Sequence, residues 1–386
     1  MKEYSEKFKE IVRFVRETFK TDEFIPLHEP RFQGNEKKYV NECIDTTFVS
    51  SVGKYVDRFE EMTAKYCGAK YAVAVGNGTA ALHVTLMLAG VTENDEVITQ
   101  PLTFVATANA ISYLRAQPVF VDVDLDTLGI SPSKLNEFFE KRTEIRNDGF
   151  CYNKITNRKI SACLPMHTFG NPLRIKEIVE ICEKNNVIVI EDAAESIGSK
   201  VEGKHSGTFG LLGILSFNGN KIITTGGGGM IITDNKKLAA TAKHLTTTAK
   251  IPHKWEYVHD MIGFNYRLPN INAALGCAQL EGIDKYLKNK KELFDLYKNF
   301  LEKIDVQFVK PIGGTVSNHW LNAIILKNFD ERNSFLEYTN LKAVMTRPIW
   351  RLLHKLEMFK DSHVENIENA EWLEKRVVNI PSSVRL

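Results

Sequence analysis

The sequence lacks several features that would place it in a familiar class at once. Its six cysteines are scattered and include no C-x-x-C pair, which argues against a disulfide framework and a structural zinc site. No segment approaches the roughly 18 apolar residues of a membrane span. The first residues, MKEYSEKFKEIVRF, are mixed in charge and do not resemble a signal peptide. We therefore expect a cytoplasmic protein that binds no metal.

An excess of charge of one sign is also missing. The chain has 50 basic and 48 acidic side chains, a formal net charge of +2. This near balance gives no reason to expect nucleic acid or an anionic membrane as a partner. Apolar residues make up 43% and charged residues 25% of the 386 residues, as in ordinary globular proteins. A chain of this length is expected to form a large and a smaller domain.

Short apolar segments alternate with helix-length segments from about residue 70. The predicted strands are 71–76, 96–99, 118–123, 159–166, 187–192, 214–217 and 230–233. The predicted helices between them are 79–90, 103–113, 174–185 and 236–249. Several of the strands are apolar throughout, which is typical of strands covered on both faces. The pattern predicts an α/β fold with a doubly wound, mainly parallel sheet, in which ligands bind beyond the carboxyl ends of strands.

The regions that flank this pattern differ from it. Residues 4–19 have apolar side chains at helical spacing, which predicts an amphipathic packing helix. Residues 140–158 are polar and predict a surface excursion. After Pro269, a long helical stretch at 272–304 precedes a further βα pattern. We predict three parts, namely a helical extension (1–23), a large domain (24–269) and a small carboxyl-terminal α/β domain (270–386).

Two motifs place ionisable side chains at predicted strand ends. Asp192 ends the apolar segment VIVIED, where a buried carboxylate is costly unless a cation or a strong donor meets it. A helix cap or a structural salt bridge would explain Asp192 equally well. Lys221 lies between a short strand and glycines 226–229, among uncharged neighbours, where an ammonium can be destabilised and become a nucleophile. Most lysines are solvated surface groups, so neither motif is decisive alone.

Two further motifs suit an anion and a planar ring. The segment GNGTAAL, residues 76–82, follows a strand and opens a helix, so Gly78 and Thr79 would present backbone N–H groups to an anion. A plain helix cap explains this motif as well. Phe104 follows the next strand and could cover a planar cofactor, although core packing is the default explanation for a single phenylalanine. Glycines 226–229 fit neither the P-loop nor the G-x-G-x-x-G pattern, which disfavours a nicotinamide oxidoreductase and favours a tight turn.

Together, these motifs supply an anion cradle, an aromatic ring, a buried acid and a lysine at successive strand ends. Pyridoxal phosphate needs these four features. The acid would keep the pyridine nitrogen protonated, so that the ring accepts electrons, and the lysine would hold the aldehyde and move a proton. The combination predicts pyridoxal phosphate as the cofactor, with Lys221 and Asp192 as the catalytic residues.

The same segments resemble the DegT/DnrJ/StrS family of nucleotide-sugar aminotransferases. The resemblance covers about 24–386 and rests on the order and spacing of GNGTAAL, TFVATANAI, EDAAES, SFNGNK-x-x-TTG-x-GG and GFNYRLPNINAALGCAQL. It implies the aspartate-aminotransferase-like fold (fold type I), with a mixed, mainly parallel seven-stranded sheet. It also implies a homodimer with shared active sites.

The resemblance further implies roles for individual residues. Lys221 would form the Schiff base, and Asp192 would pair with the pyridine nitrogen. The other expected cofactor contacts are Gly78, Thr79 and Ser216 at the phosphate, Phe104 and Ala194 on the two ring faces, and Asn265 at the phosphate bound by the partner subunit. Glu195 stands where many relatives have histidine, and it is expected near the phenolic oxygen or the amino donor. Substrate contacts are expected at Arg267, His319 and Trp320.

Within the family, the segment ahead of FIPLHEP and the segment TTGGGGM resemble the branch that acts on 4-keto-6-deoxy-2-acetamido sugars. That branch includes the bacillosamine and legionaminic acid aminotransferases. We expect L-glutamate as the donor, pyridoxamine phosphate as the amino-carrying form, and a UDP- or GDP-linked 4-amino sugar for bacterial surface glycans or glycoproteins as the product. The alternatives are a dehydratase of the same fold, which Lys221 disfavours because such relatives have histidine there, and a cofactor-binding protein without turnover.

Overall fold

The computed structural model describes residues 4–385, so residues 1–3 of the predicted extension and residue 386 lie outside the described part. The helices are α1 (Glu6–Phe19), α2 (Glu36–Asp45), α3 (Lys54–Cys67), α4 (Gly78–Leu88), α5 (Val105–Tyr113), α6 (Pro132–Arg142), α7 (Ile175–Lys184), α8 (Lys236–Thr246), α9 (Asn270–Glu281), α10 (Ile283–Lys303), α11 (Phe329–Leu341) and α12 (Glu368–Glu374). The strands are β1 (Tyr71–Val75), β2 (Glu96–Thr99), β3 (Gln117–Phe120), β4 (Thr143–Ile145), β5 (Cys151–Asn153), β6 (Lys159–Cys163), β7 (Ile188–Asp192), β8 (Lys200–Val201), β9 (Lys204–His205), β10 (Leu212–Ser216), β11 (Gly229–Thr233), β12 (Lys250–Ile251), β13 (Val258–His259), β14 (Gln307–Phe308), β15 (Thr315–Val316), β16 (Asn322–Ile325), β17 (Arg347–Pro348), β18 (His363–Val364) and β19 (Val377–Ile380).

A mixed sheet with the strand order β1-β11-β10-β7-β6-β2-β3-β18 forms the centre of the molecule. The strands from β10 to β18 in this order are parallel, whereas β11 is antiparallel to both β1 and β10. The seven strands predicted from the apolar segments are all present. The sequence did not predict β18, nor the hairpin β4–β5 that forms the excursion at 140–158 and pairs with the start of β6.

Helices cover both faces of this sheet, as a doubly wound fold requires. Side chains of α4, α5 and α8 pack with Val97 and Ile190 on one face, and side chains of α6 and α7 pack with Ile98 and Val189 on the other. Successive residues of a strand point to opposite faces. Both faces are therefore apolar, which explains the continuous apolar segments in the sequence.

A second, antiparallel sheet has the order β14-β16-β19-β17. The amphipathic helix predicted near the amino terminus is α1, and its apolar side packs in the same core as α10, α11 and this sheet. The predicted helical stretch at 272–304 is two helices, since Gly282 ends α9 and precedes α10. The domain boundary at residue 270 stays a prediction, because one hydrophobic core extends from Phe59 to Val377 across it.

Among the described residues, membrane-spanning helices, disulfides and metal clusters are absent. Between residues 4 and 385, no helix is long and apolar enough to cross a membrane. All six cysteines are buried and none forms a disulfide. In the same part of the chain, no cluster of three or more His, Cys, Asp or Glu side chains could hold a metal ion.

Candidate active site

A cavity of about 340 Å³ lies at the carboxyl ends of β1, β7 and β10. These three strands point the same way, so the residues that follow them converge at one edge of the sheet. The structure brings together nine of the residues singled out in the sequence, namely Gly78, Thr79, Phe104, Asp192, Ala194, Glu195, Ser216, Lys221 and Trp320.

Asp192, the last residue of β7, is buried at the base of the cavity. The Thr107 hydroxyl donates a hydrogen bond to its Oδ2 at 2.8 Å, and the backbone N–H of Ala194 donates to its Oδ1 at 3.2 Å. Burial raises the pKa of Asp192, while the hydrogen bonds from Thr107 and Ala194 oppose that shift. A buried acceptor held by a donor on each oxygen is well suited to a cationic ring nitrogen. The sequence did not identify Thr107, which is the third residue of α5.

Lys221 extends into the cavity from the loop after β10, and its side chain is 13% exposed. Its Nζ lies 3.2 Å from Glu195 Oε1 and 3.9 Å from the centroid of the Trp320 ring. The Trp320 indole Nε1 donates to the backbone oxygen of Asn220 at 2.7 Å, next to Lys221 in the chain. The Lys221 nitrogen is thus held between a carboxylate and an aromatic face.

Glu195 comes one turn after Asp192 but faces a different partner. Its Oε1 contacts Lys221, and its Oε2 accepts a hydrogen bond from the backbone N–H of Phe169 at 2.9 Å. Burial raises the pKa of Glu195 to about 7, although the nearby Lys221 ammonium opposes the shift. Two buried carboxyl groups in one cavity therefore differ in their surroundings, and only Glu195 contacts the lysine.

The amino end of α4 forms one wall of the cavity. The side chain of Asn77 caps the backbone N–H of Ala80 at 2.8 Å. The N–H groups of Gly78 and Thr79, in the first turn, have no partner within the helix and can meet an anion. A Cβ atom on Gly78 would lie only 3.1 Å from the Ser216 Cβ, so the absence of a side chain keeps this wall open.

The glycine run and Phe104 complete the cavity. A Cβ atom on Gly229, the first residue of β11, would lie 2.5 Å from the backbone oxygen of Asn77, so this glycine lets the two segments pass closely. Gly226 has a φ of 79°, in agreement with the tight turn predicted there. Phe104 precedes α5 and is 52% exposed, so its ring is available to a ligand and is not part of the core. The cavity therefore offers an anion cradle, a ring, an acid and a lysine, which fit pyridoxal phosphate.

Three predicted residues do not line the cavity. Asn265 is exposed and pairs with Thr247, and Arg267 pairs with Val75 at the end of β1. The role expected for Asn265 at the partner's phosphate stays a prediction. The prediction that His319 contacts the substrate needs correction for this cavity, because the side chain is buried.

The backbone conformation explains the burial of His319. Its φ of 51° turns the chain, and its ring stacks on Phe294 of α10 at a centroid distance of 4.1 Å. Burial lowers the pKa of His319 to about 3. The next residue, Trp320, lines the cavity instead.

Trp350 also lines the cavity, and no motif in the sequence indicated it. It lies in the segment after β17, and its ring packs against Phe169 at a centroid distance of 5.0 Å. Trp320 and Trp350 form an aromatic wall opposite the strand ends. Aromatic rings of this kind can pack against the apolar face of a substrate.

Comparison with known proteins agrees with this geometry. Residues 30–386 match the model of the DegT/DnrJ/EryC1/StrS aminotransferase family, so α1 lies entirely outside the match. A GDP-perosamine synthase from Escherichia coli O157:H7 is 39% identical over 359 residues, which cover 93% of this chain and 93% of that protein.

Two further similarities extend the comparison. The putative pyridoxal phosphate-dependent aminotransferase EpsN from Bacillus subtilis (strain 168) is 40% identical over 363 residues, which cover 93% of this chain and 90% of EpsN. The crystal structure of the aminotransferase TlmJ from Streptoalloteichus hindustanus superposes with a TM-score of 0.84 at 25% identity, over 93% of each chain. The second similarity confirms the predicted α/β aminotransferase fold.

Proposed function

The chain belongs to the DegT/DnrJ/EryC1/StrS aminotransferase family and uses pyridoxal phosphate, and from this premise we propose a substrate. The protein transfers an amino group from L-glutamate to the 4-keto carbon of a nucleotide-linked 4-keto-6-deoxy sugar. This membership confirms the family that the sequence motifs predicted. The observation that carries the proposal is the convergence of Lys221, Asp192 and the amino end of α4 on one cavity.

Each wall of the cavity has a distinct task in this proposal. When bound, pyridoxal phosphate supplies an electron sink for the carbon that loses or gains a proton. Gly78, Thr79 and Ser216 would hold its phosphate, and Phe104 would cover its ring. Asp192 would accept a hydrogen bond from the ring nitrogen, and Thr107 fixes the Asp192 carboxylate for that purpose.

Lys221 is assigned two tasks. It would hold the cofactor through its aldehyde, and its free amine would take up or deliver the proton at the reacting carbon in each half-reaction. Glu195 and Trp320 hold its Nζ within the cavity, and the low exposure of the side chain limits proton exchange with bulk water. Delivery from one side of the acceptor would fix the configuration at carbon 4.

The identity of the acceptor is the finer part of the proposal. The name of the relative from Escherichia coli O157:H7 supports a GDP-linked sugar. The sequence segments near the amino terminus and at residues 224–230 resemble instead the branch that acts on 2-acetamido sugars. Both acceptor types carry a 4-keto group on a 6-deoxy ring, and the aromatic wall of Trp320 and Trp350 could pack against either.

We also propose a homodimer with shared sites. Asn265 is exposed, and large apolar side chains close to it in sequence are exposed as well, including Trp255, Tyr257 and Ile262. Apolar surface of this kind marks interaction sites. Mixing Lys221→Ala with Asn265→Ala protein should restore activity if each site uses residues of both subunits. We place the reaction in the cytoplasm, where unpaired cysteines persist.

The test is a two-step spectroscopic assay. The purified protein, loaded with pyridoxal phosphate, should show a visible absorption band that L-glutamate bleaches. Addition of a GDP-linked or a UDP-linked 2-acetamido 4-keto-6-deoxy sugar should restore the band and give a 4-amino sugar. The restoring sugar identifies the acceptor.

Controls separate the proposal from its alternatives. Lys221→Ala should abolish turnover, whereas Lys236→Ala, at an exposed position on α8, should not. Borohydride reduction should leave the cofactor on the peptide that contains Lys221. Near-normal turnover in Lys221→Ala would contradict the proposal, and release of 2-oxoglutarate without an amino sugar would favour a dehydratase.

A further inference from the structure

Lys290 is a fully buried lysine in the middle of α10. Its Nζ donates hydrogen bonds to the backbone oxygen of Trp320 at 3.0 Å and to that of Ser382, and it forms no ion pair within residues 4–385. Removing an ammonium from water is costly unless an opposite charge compensates. Burial accordingly lowers the pKa of Lys290 well below its usual range. A methionine would fill the same space without that cost, so packing alone does not explain a lysine here.

Trp320 connects this buried lysine to the cavity. Its backbone oxygen accepts the hydrogen bond from Lys290, and its ring centroid lies 3.9 Å from Lys221 Nζ. Its indole Nε1 also donates to the backbone oxygen of Asn220. Trp320 is therefore held at one end by Lys290 and contacts the reactive lysine and its loop at the other.

The chain around Trp320 needs such a restraint. His319 has a φ of 51°, a conformation that costs about 1 kcal/mol or more and persists only where the surroundings enforce it. On one side of this turn, the Asn318 amide donates to the backbone oxygens of Glu195 at 2.8 Å and Ile197 at 2.9 Å. On the other side, Lys290 holds the Trp320 carbonyl. The two restraints together direct the indole to the cavity.

We propose that Lys290 is a positioning residue for Lys221 and acts through Trp320. By holding the Trp320 carbonyl, it fixes the aromatic face against which Lys221 Nζ rests. The inference rests on the proposed role of Lys221 as the lysine that binds pyridoxal phosphate. A purely structural role for Lys290 makes a different prediction, because the loss of its two hydrogen bonds in Lys290→Met would then lower the stability and leave the rate of pyridoxal phosphate uptake unchanged.

The experiment compares Lys290→Met with the wild type and with Lys291→Met. Lys291 is the next residue of α10, but its side chain is exposed, forms an ion pair with Asp295 across one turn and lies 5.7 Å from the Phe294 ring centroid, so its loss should change little. For each cofactor-free protein, we would measure the midpoint of thermal unfolding and the rate of pyridoxal phosphate uptake. Borohydride trapping and peptide mapping would give the share of label on Lys221.

Lys290→Met should unfold at the same or a higher temperature, yet take up the cofactor about tenfold more slowly, with less of the label on Lys221. Uptake equal to that of the wild type would overturn the inference. A loss of both stability and uptake in Lys290→Met would also overturn the inference if Lys290→Gln, which keeps an N–H donor, shows the same loss. Failure of the wild type and Lys291→Met to bind pyridoxal phosphate would contradict the proposed function instead.

A second set of variants tests the route through Trp320. Trp320→Leu should reproduce the slow uptake, whereas Trp320→Phe, which keeps an aromatic face, should retain most of the rate. In a double-mutant cycle, Lys290→Met should add little to Trp320→Leu, because both remove the same support. Fully additive effects of Lys290→Met and Trp320→Leu on the uptake rate would show that Lys290 does not act through Trp320. If Lys290→Met is insoluble, Lys290→Gln takes its place in the cycle.

Discussion

The two walls of the cavity are built by different means. On the sheet side, Asp192 and Ser216 are the last residues of strands, and Gly78 opens the helix that follows β1. On the opposite side, Trp320 follows a strained turn, and Trp350 lies in a loop packed on Phe169. The sheet wall is fixed by backbone hydrogen bonds of central strands, whereas the aromatic wall depends on side-chain contacts with the carboxyl-terminal region. Asp192 and Ser216, which are proposed to contact the cofactor, thus lie on the rigid side.

The comparison predicts that substitutions in the sheet wall act on every turnover step, whereas a substitution at Trp350 in the aromatic wall acts mainly on the substrate. Apart from Lys221→Ala, the largest effect is expected from Asp192→Asn. Loss of the negative charge removes the partner of the ring nitrogen, and the rate of the glutamate half-reaction should fall by a factor on the order of 10² to 10³. Single-turnover absorbance measurements would show this. The exposed Asp330→Asn serves as the control, and an unchanged rate in Asp192→Asn would remove Asp192 from the catalytic residues.

The next prediction tests whether the hydrogen bond from Thr107 to the Asp192 carboxylate affects the rate of the half-reaction. Thr107→Val keeps the shape of the side chain but removes the donor to Asp192 Oδ2. A hydrogen bond to a charged group contributes roughly 1.5–3 kcal/mol, so the half-reaction should slow by at least about tenfold. Thr107→Ser restores a hydroxyl and should recover most of the rate. Equal rates in the valine and serine variants would show that the threonine only fills space.

The same contrast explains how much the sequence could predict. Asp192, Gly78, Ser216 and Phe104 lie at or just after apolar strands, and strand ends can be recognised from the local pattern. Because the carboxyl ends of parallel strands lie at one edge of the sheet, the strand pattern alone is enough to predict that these residues lie together. Thr107 was missed because nothing in the local pattern shows which side of α5 faces β7.

Residues of the aromatic wall were not predictable in this way. The position of Trp350 depends on how the segment after β17 crosses the cavity, and that of Lys290 on the packing of α10 against the carboxyl-terminal chain. Of the adjacent residues His319 and Trp320, the sequence could not decide which faces the cavity, because a single φ of 51° settles it. The structure places Trp320 in the cavity wall and His319 against Phe294 in the core, and the contact of Trp320 with the substrate stays a prediction.

Trp350→Leu should sharpen the contrast between the walls. The smaller side chain leaves the strand ends untouched, so the glutamate half-reaction should keep its rate within about twofold. The KM for the sugar acceptor should rise by about tenfold, since an aromatic ring contributes roughly 0.5–1.5 kcal/mol beyond its buried area. Steady-state kinetics with varied acceptor would measure this. Trp372→Leu, on the outer surface of α12, is the matched control. A slower glutamate half-reaction in Trp350→Leu would mean that the two walls are not functionally separate.

The smallest expected effect concerns Glu195. This residue follows β7 in the chain, and its side chain contacts Lys221. Its pKa is raised to about 7 in the folded protein, against about 4.3 in an unfolded chain. The folded state therefore binds the proton more tightly, and the resulting stability is full below about pH 4.3 and lost as the pH rises to about 7. Between pH 5.5 and 6.5, the cofactor-free wild type should lose about 1 kcal/mol relative to Glu195→Gln.

Urea unfolding at the two pH values would measure that difference, with the exposed Glu61→Gln as the control. Other carboxyl groups titrate in all three proteins. Subtracting the pH dependence of the unfolding free energy of Glu195→Gln from that of the wild type therefore leaves only the part that Glu195 contributes. Parallel pH dependences in the wild type and Glu195→Gln would show that Glu195 is ionised throughout this range. The Lys221 ammonium would then compensate the burial of the Glu195 carboxylate in full.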